Sequence, residues 1–270
     1  DLYHAGRYSQ AAEFLAASVA RYESLVSGPE SSLSLRTSYA YALSTQGLNE
    51  GFVGNRERQD RANFTAVAEY RKLLEIDPEN ANLKGVASLA LLRAGSPLDD
   101  SDPQKERLLE EAFSLAIEAE GESPKLGNAL SAFYWAATPL AQFHRRKKNF
   151  SRALEVLDVV LAKNPESWIH LQVRGMTSLD AGQREDAKAA FSKGLDEIHG
   201  YLEVSERSVR DYGEHIRDLT NLTNGLLDSD PALAPDTLDL ANRSIELGVA
   251  SMPRIHEDYE RIPATLSGIN

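Results

Sequence analysis

Residues 149–167 read NFSRALEVLDVVLAKNPES. Ala153, Leu157 and Pro165 fall at offsets 0, 4 and 12 along one amphipathic segment. A small residue at the first position lets a neighbouring helix approach, the larger one fills the groove between helices, and the proline stops the helix. A pattern of this kind is either one isolated helix or one unit of a repeat, and the two readings lead to different folds.

Laid along the chain, the same ruler matches Ala66, Tyr70 and Pro78, then Ala112, Ala116 and Pro124, then Ala241, Ile245 and Pro253. Ala187 and Phe191 satisfy the first two offsets with His199 at the third, and Ala11 and Leu15 do so with Glu23 at the third. Six helices of one type are expected.

These residues resemble the second helix of the tetratricopeptide repeat, whose first helix carries W-x2-L-G-x2-Y and whose second carries A-x3-F and a closing proline. The best first-helix match is WIHLQVRGMTSLDAGQREDA, from Trp168, with Gly175 at the small position and Gly182 in the inter-helix turn. Leu140 and Ala141 take the corresponding pair in the preceding unit. The resemblance implies an all-α fold, a right-handed α-solenoid of antiparallel helix pairs.

The spacing departs from the family. Successive anchor alanines are 55, 46, 41, 34 and 54 residues apart, against a family period of about 34. The extra residues, LNEGFVGNRERQDRA after Gly47, SPLDDSDPQKER after Gly95 and HGYLEVSERSVRDYGEHIRDLTNLTNGLLDSDP before the last unit, are mostly polar with helical propensity. They read as lengthened helices and long turns, not as new domains. The array is expected over residues 1–253, beginning in mid-repeat as part of a longer polypeptide, with a polar capping segment over 254–270.

The chain has 270 residues, a net charge of -12 and no cysteine. Long-range attraction to nucleic acid is disfavoured, and disulfides, thiol chemistry and cysteine-based zinc sites are excluded. The longest uncharged run falls short of the roughly 20 apolar residues of a membrane span. Neither H-E-x-x-H nor a glycine-rich phosphate loop occurs, and the six histidines read as surface residues on polar helices. Asp99, Asp100 and Asp102 read as caps and turn formers, and the sequons at Asn63, Asn149, Asn221 and Asn242 read as chance matches in a chain where asparagine is also a common helix cap. No cofactor or metal is expected.

Two clusters admit a functional reading. HRRKK, residues 144–148, could receive an acidic peptide or phosphate, but cations at the end of a first helix also complement its dipole, and that reading is preferred. The aromatic run Phe133, Tyr134 and Trp135, ahead of Pro139, is read as core before pocket.

In tetratricopeptide proteins ligands usually lie on the surface made by the first helices. The resemblance places there Trp135, Thr138, Gln142, Arg145 and Arg146 from the unit beginning at Tyr134, and Ile169, Gln172, Met176, Leu179 and Asp180 from the unit beginning at Trp168. Trp135, Thr138, Gln142, Arg145, Arg146, Gln172 and Met176 are the candidate partner-binding residues. The chaperone-binding members of the family grip a terminal carboxylate with lysines, asparagines and an arginine. Thr138, Gln142, Gln172 and Met176 stand at those positions here, so that ligand is not expected. The expected role is a non-enzymatic scaffold for a protein or peptide. A regulatory module of a larger signalling enzyme or transcription regulator, and a small-molecule or ion-binding protein, stay open.

Overall fold

The computed structural model describes residues 8–28, 31–204 and 209–231. The elements within them are ten helices: α1 (Tyr8–Val26), α2 (Leu33–Phe52), α3 (Arg56–Ile76), α4 (Ala81–Gly95), α5 (Pro103–Glu122), α6 (Gly127–Arg146), α7 (Phe150–Lys163), α8 (Trp168–Asp180), α9 (Arg184–Val204) and α10 (Val209–Ser229). The last expected unit, with Ala241, Ile245 and Pro253, lies outside the described residues, as do the segment 254–270, Asn242, His4, His256 and the side chain of His215. The chain forms two compact units, Asp1–Phe143 and His144–Asn270.

In the first unit α1 packs on α2, α2 on α3, α3 on α4 and α4 on α5, and in the second α7 packs on α8, α8 on α9 and α9 on α10. The anchors explain the pairing. Ala66, Ala112, Ala153 and Ala187 are fully buried and Ala11 nearly so, and they lie on α3, α5, α7, α9 and α1 in turn. The large partners Tyr70, Leu157 and Phe191, four residues on, are buried too. Pro78, Pro124 and Pro165 each stand just past the end of α3, α5 and α7, where a missing N–H costs nothing. Odd-numbered helices are therefore the second members of tetratricopeptide-type pairs, and even-numbered helices the first.

Glycines set how closely the two members approach. A Cβ on Gly47 would fall 1.9 Å from Asn63 Oδ1, one on Gly95 3.0 Å from Leu108, and one on Gly175 2.6 Å from the Phe191 ring. In the second unit Phe191 is also gripped from α10, where a Cβ on Gly225 would come within 2.4 Å of the same ring. Leu195, Ile198, Leu219, Leu222 and Leu226 complete that core.

The unequal spacing is accounted for by helix length. The regular interval of 34, from Ala153 to Ala187, contains the short helices α7 and α8, of 14 and 13 residues. Around the longer intervals α2, α3, α5 and α6 run to 20 or 21 residues. The stretch before the last unit is more than a lengthened element: it ends α9 and then supplies all of α10, which packs on both α9 and α8.

Three first-to-second turns close in one way. Gly54, Lys148 and Gly182 have φ of 77°, 59° and 77°. The next residue's N–H donates five residues back, from Asn55 to Glu50, Asn149 to His144 and Gln183 to Ser178, at 2.8–2.9 Å. This is the Schellman arrangement, which favours glycine at the left-handed position. Lys148 occupies it with a side chain, at a cost of roughly 1–2 kcal/mol offset in part by glycine's greater freedom when unfolded. Lys148→Gly is expected to stabilise the second unit by about 0.5–1 kcal/mol, read as a higher urea midpoint. An unchanged or lower midpoint would contradict this.

The caps follow the sequence in part. Asn149 accepts from Arg152 N–H and caps α7, and Asp102 accepts from Gln104 N–H at 2.8 Å and caps α5. Asp99 takes both the N–H and the hydroxyl of Ser101 in the preceding turn, which holds its carboxyl below the ordinary value. Asn63 and Asn221 are not caps: both lie inside helices, and Asn63 is buried with its amide donating to the Arg93 carbonyl at 3.0 Å.

Two histidines are buried, contrary to the surface reading. His144 and His170 are each 3% exposed. The Ser167 hydroxyl, at the cap of α8, sits 2.7 Å from His170 Nδ1 and makes no cap bond to its own helix. The ring is thus satisfied inside the unit, and burial follows from its position on α8 and not from polarity.

Candidate functional site

The expected binding residues are divided between the two units. In the first, Trp135, Thr138 and Gln142 lie along α6 at i, i+3 and i+7, one face of the helix. Trp135 is 67% exposed, and Thr138 and Gln142 are half-buried. The opposite face holds Phe133, Ala136, Ala137, Leu140 and Ala141, all buried. The aromatic run is therefore split: Phe133 stacks on Phe113 of α5 at 6.4 Å and meets Tyr134 edge-on at 5.4 Å, while Trp135 points to solvent.

In the second unit Arg145 and Arg146 end α6, so the cations do stand at a helix C-terminus. Arg145 Nε bonds Asp180 Oδ2 of α8 at 3.3 Å, and Arg146 is exposed. Along α8, Ile169 is 45% exposed and Gln172 half-buried. Met176 and Leu179 pack against the core around Phe191. α10 lies beside α8, which accounts for their partial cover. Of this set, Arg146, Ile169 and Asp180 are exposed, and Gln172 is half-buried.

The first unit also contains a groove of about 480 Å³ that sequence reasoning missed, lined from α1, α2, α3, α4 and α6. Tyr22 and Tyr41 bring aromatic rings to it from α1 and α2. The hydroxyls of Thr37, Ser38 and Thr45 donate back to the carbonyls of Leu33, Ser34 and Tyr41 at 2.9–3.0 Å. Their donors are spent, and they offer lone pairs to the groove. Asn82 of α4 and Asn128 of α6 also line it, and Asn128 Nδ2 donates to Asn82 Oδ1 at 2.9 Å. That pair needs α6 close to α4, and Gly85 permits it: a Cβ there would stand 3.1 Å from the backbone of Asn128 and Ala129.

Tyr70 reaches the groove from the second helix α3, behind it. The residue is 1% exposed, and its hydroxyl has no hydrogen-bond partner. Burial drives its phenol well above the ordinary range, with Arg93 opposing and Tyr41 adding to the shift. Neutral and donor-bearing at every physiological pH, it is a proton donor without an acceptor, which buried polar groups rarely are. No charged side chain lines the groove.

Its signal in the sequence was weak. Hydroxyls and asparagines spread over separate helices read singly as caps or polar surface, and only the fold juxtaposes them. Among the described residues no group of three or more histidines and carboxylates is placed to hold a metal ion, and no helix is long and apolar enough to cross a membrane.

No protein-family model matches the chain, and no curated protein matches it significantly. Among solved structures it is similar to a MamA double mutant, at 14% identity over 80% of this chain and 96% of that one, with a TM-score of 0.47. It is also similar to PilW, a type IV pilus biogenesis factor, at 17% identity over 86% and 87% of the two chains with a TM-score of 0.45. A tetratricopeptide repeat protein from Parabacteroides merdae is 15% identical over 89% of this chain and 82% of that one, with a TM-score of 0.39. The helix pairing and its buried anchors make the fold one of tetratricopeptide type.

Proposed function

We propose that the chain is a non-enzymatic scaffold that binds a protein or peptide on the faces of its first helices, α2, α4, α6 and α8. The observation that carries this reading is where accessible recognition groups stand. Tyr41 on α2, Trp135 on α6 and Ile169 on α8 are 58%, 67% and 45% exposed, and each first-helix face adds neutral hydrogen-bonding groups around them: Thr37, Ser38 and Thr45 on α2, Gln142 on α6, Gln172 on α8. Exposed aromatics beside hydrogen-bonding groups are what protein-recognition surfaces use. In the first unit the first helices also lie side by side, α2 against α4 and α4 close to α6, so their faces form one continuous surface there.

The test is affinity capture with this chain as bait, repeated with Trp135→Ala, Gln142→Ala and Gln172→Ala. At least one first-helix variant is expected to weaken capture by about tenfold or more with helicity unchanged. Capture that survives all three, or is lost equally on Glu155→Ala of the second helix α7, would contradict the reading.

A further inference from the structure

We infer that the groove of the first unit binds a short neutral oligosaccharide, with one sugar ring seated on Tyr41 between the hydroxyls of Thr37 and Thr45. Such binding is a function separate from protein capture and does not depend on it.

The stripe on α2 suits a polyhydroxylated ring. Thr37, Tyr41 and Thr45 stand at i, i+4 and i+8, on one face of the helix, and all three line the groove. Tyr41 is 58% exposed, and the flat side of its ring carries the negative part of its quadrupole. The C–H face of a sugar ring, apolar and weakly positive, is its complement. Both threonine hydroxyls donate to carbonyls of α2 at 2.9 Å, Thr37 to Leu33 and Thr45 to Tyr41, so what they offer outward is lone pairs. Eight residues of helix set those acceptors about 12 Å apart along the axis. Two O–H···O bonds of about 2.8 Å take up nearly half of that distance, and a sugar ring with a hydroxyl on each side fills the rest.

The opposite wall offers the matching polar pair. Asn128 Nδ2 of α6 donates to Asn82 Oδ1 of α4 at 2.9 Å, which leaves an Asn82 N–H to donate and the Asn128 carbonyl to accept. Two neighbouring sugar hydroxyls satisfy both, one accepting and one donating. Tyr22 adds a second aromatic wall from α1.

Charge decides the class of saccharide. No ionised side chain lines the groove, so a phosphate, carboxylate or ammonium on the ligand would lose water without gaining a counter-ion, which is costly. The volume of about 480 Å³ is within the usual range for ligand sites, roughly 300–1,000 Å³. A quaternary ammonium would also find the aromatic faces, and the test separates it from a sugar.

The probes are maltotriose, cellotriose and triacetylchitotriose, titrated into the whole chain by isothermal calorimetry. Their charged counterparts, trigalacturonate and deacetylated chitotriose, are titrated beside them, as is choline. At least one neutral trisaccharide is expected to bind with a Kd below about 1 mM, and the charged probes and choline at least about tenfold more weakly. Tyr41→Ala should weaken the neutral ligand about 3- to 10-fold, and Thr45→Val and Asn82→Ala should each do so by a similar factor. All three side chains are exposed or half-buried, so melting temperatures should change little. Asp158→Ala, on α7 of the second unit, should leave affinity as it is.

No neutral trisaccharide binding below about 1 mM, equal or tighter binding of a charged probe or of choline, or affinity unmoved by both Tyr41→Ala and Thr45→Val would overturn the inference. Each of these outcomes leaves the scaffold role to be decided separately by capture with the Trp135, Gln142 and Gln172 variants.

Discussion

Phe191→Ala is expected to cost the second unit about 3–5 kcal/mol, the usual cost of emptying a buried aromatic site. The ring is fully buried and is held between two glycines, Gly175 on α8 and Gly225 on α10, whose missing Cβ atoms would stand 2.6 Å and 2.4 Å from it. It therefore joins three helices. The space also works in reverse: Gly225→Ala is expected to destabilise by about 1–3 kcal/mol through overpacking, and to be largely rescued by Phe191→Leu. Urea unfolding checks both. Trp168 bonds Asp218 at 3.3 Å and lies against Tyr201 at 4.6 Å, so in a Trp135→Phe background its fluorescence follows this unit alone. Additive costs for Gly225→Ala and Phe191→Leu would show that the two sites do not share the space.

Ala153→Glu is expected to cost at least about 3 kcal/mol, because it would force a carboxylate into a fully buried helix contact. Lys147→Glu, on the exposed turn that follows α6, is expected to cost under about 1 kcal/mol. The contrast tests the register of the repeat, since a shift of one residue would take position 153 out of the contact. Equal midpoints for the two variants would refute that register.

The second helices were legible because their signal is local. A small residue, a large one four later and a proline eight beyond that lie within about three helical turns of sequence, and Ala153, Leu157 and Pro165 do in the structure what that spacing requires. α10 was harder to see. Its buried Leu219, Leu222 and Leu226 fall at i, i+3 and i+7, a helical stripe that polar neighbours obscure and that could have been counted.

Phe133, Tyr134 and Trp135 are contiguous in sequence, but successive helical residues point about 100° apart. Phe133 went to the core and Trp135 to solvent for that reason. His170 and the groove around Tyr70 depend on which helices come together. Tyr70 was legible as a filler between helices, but its unpartnered hydroxyl becomes visible only once α2 and α4 stand in front of it.

The most direct measurement is hydrogen–deuterium exchange on the chain, free and saturated with a captured binding partner. The account predicts slowed amide exchange concentrated on α2, α4, α6 and α8, with α3, α5, α7 and α9 unchanged. Protection centred on the second helices, or none at saturation, would contradict it.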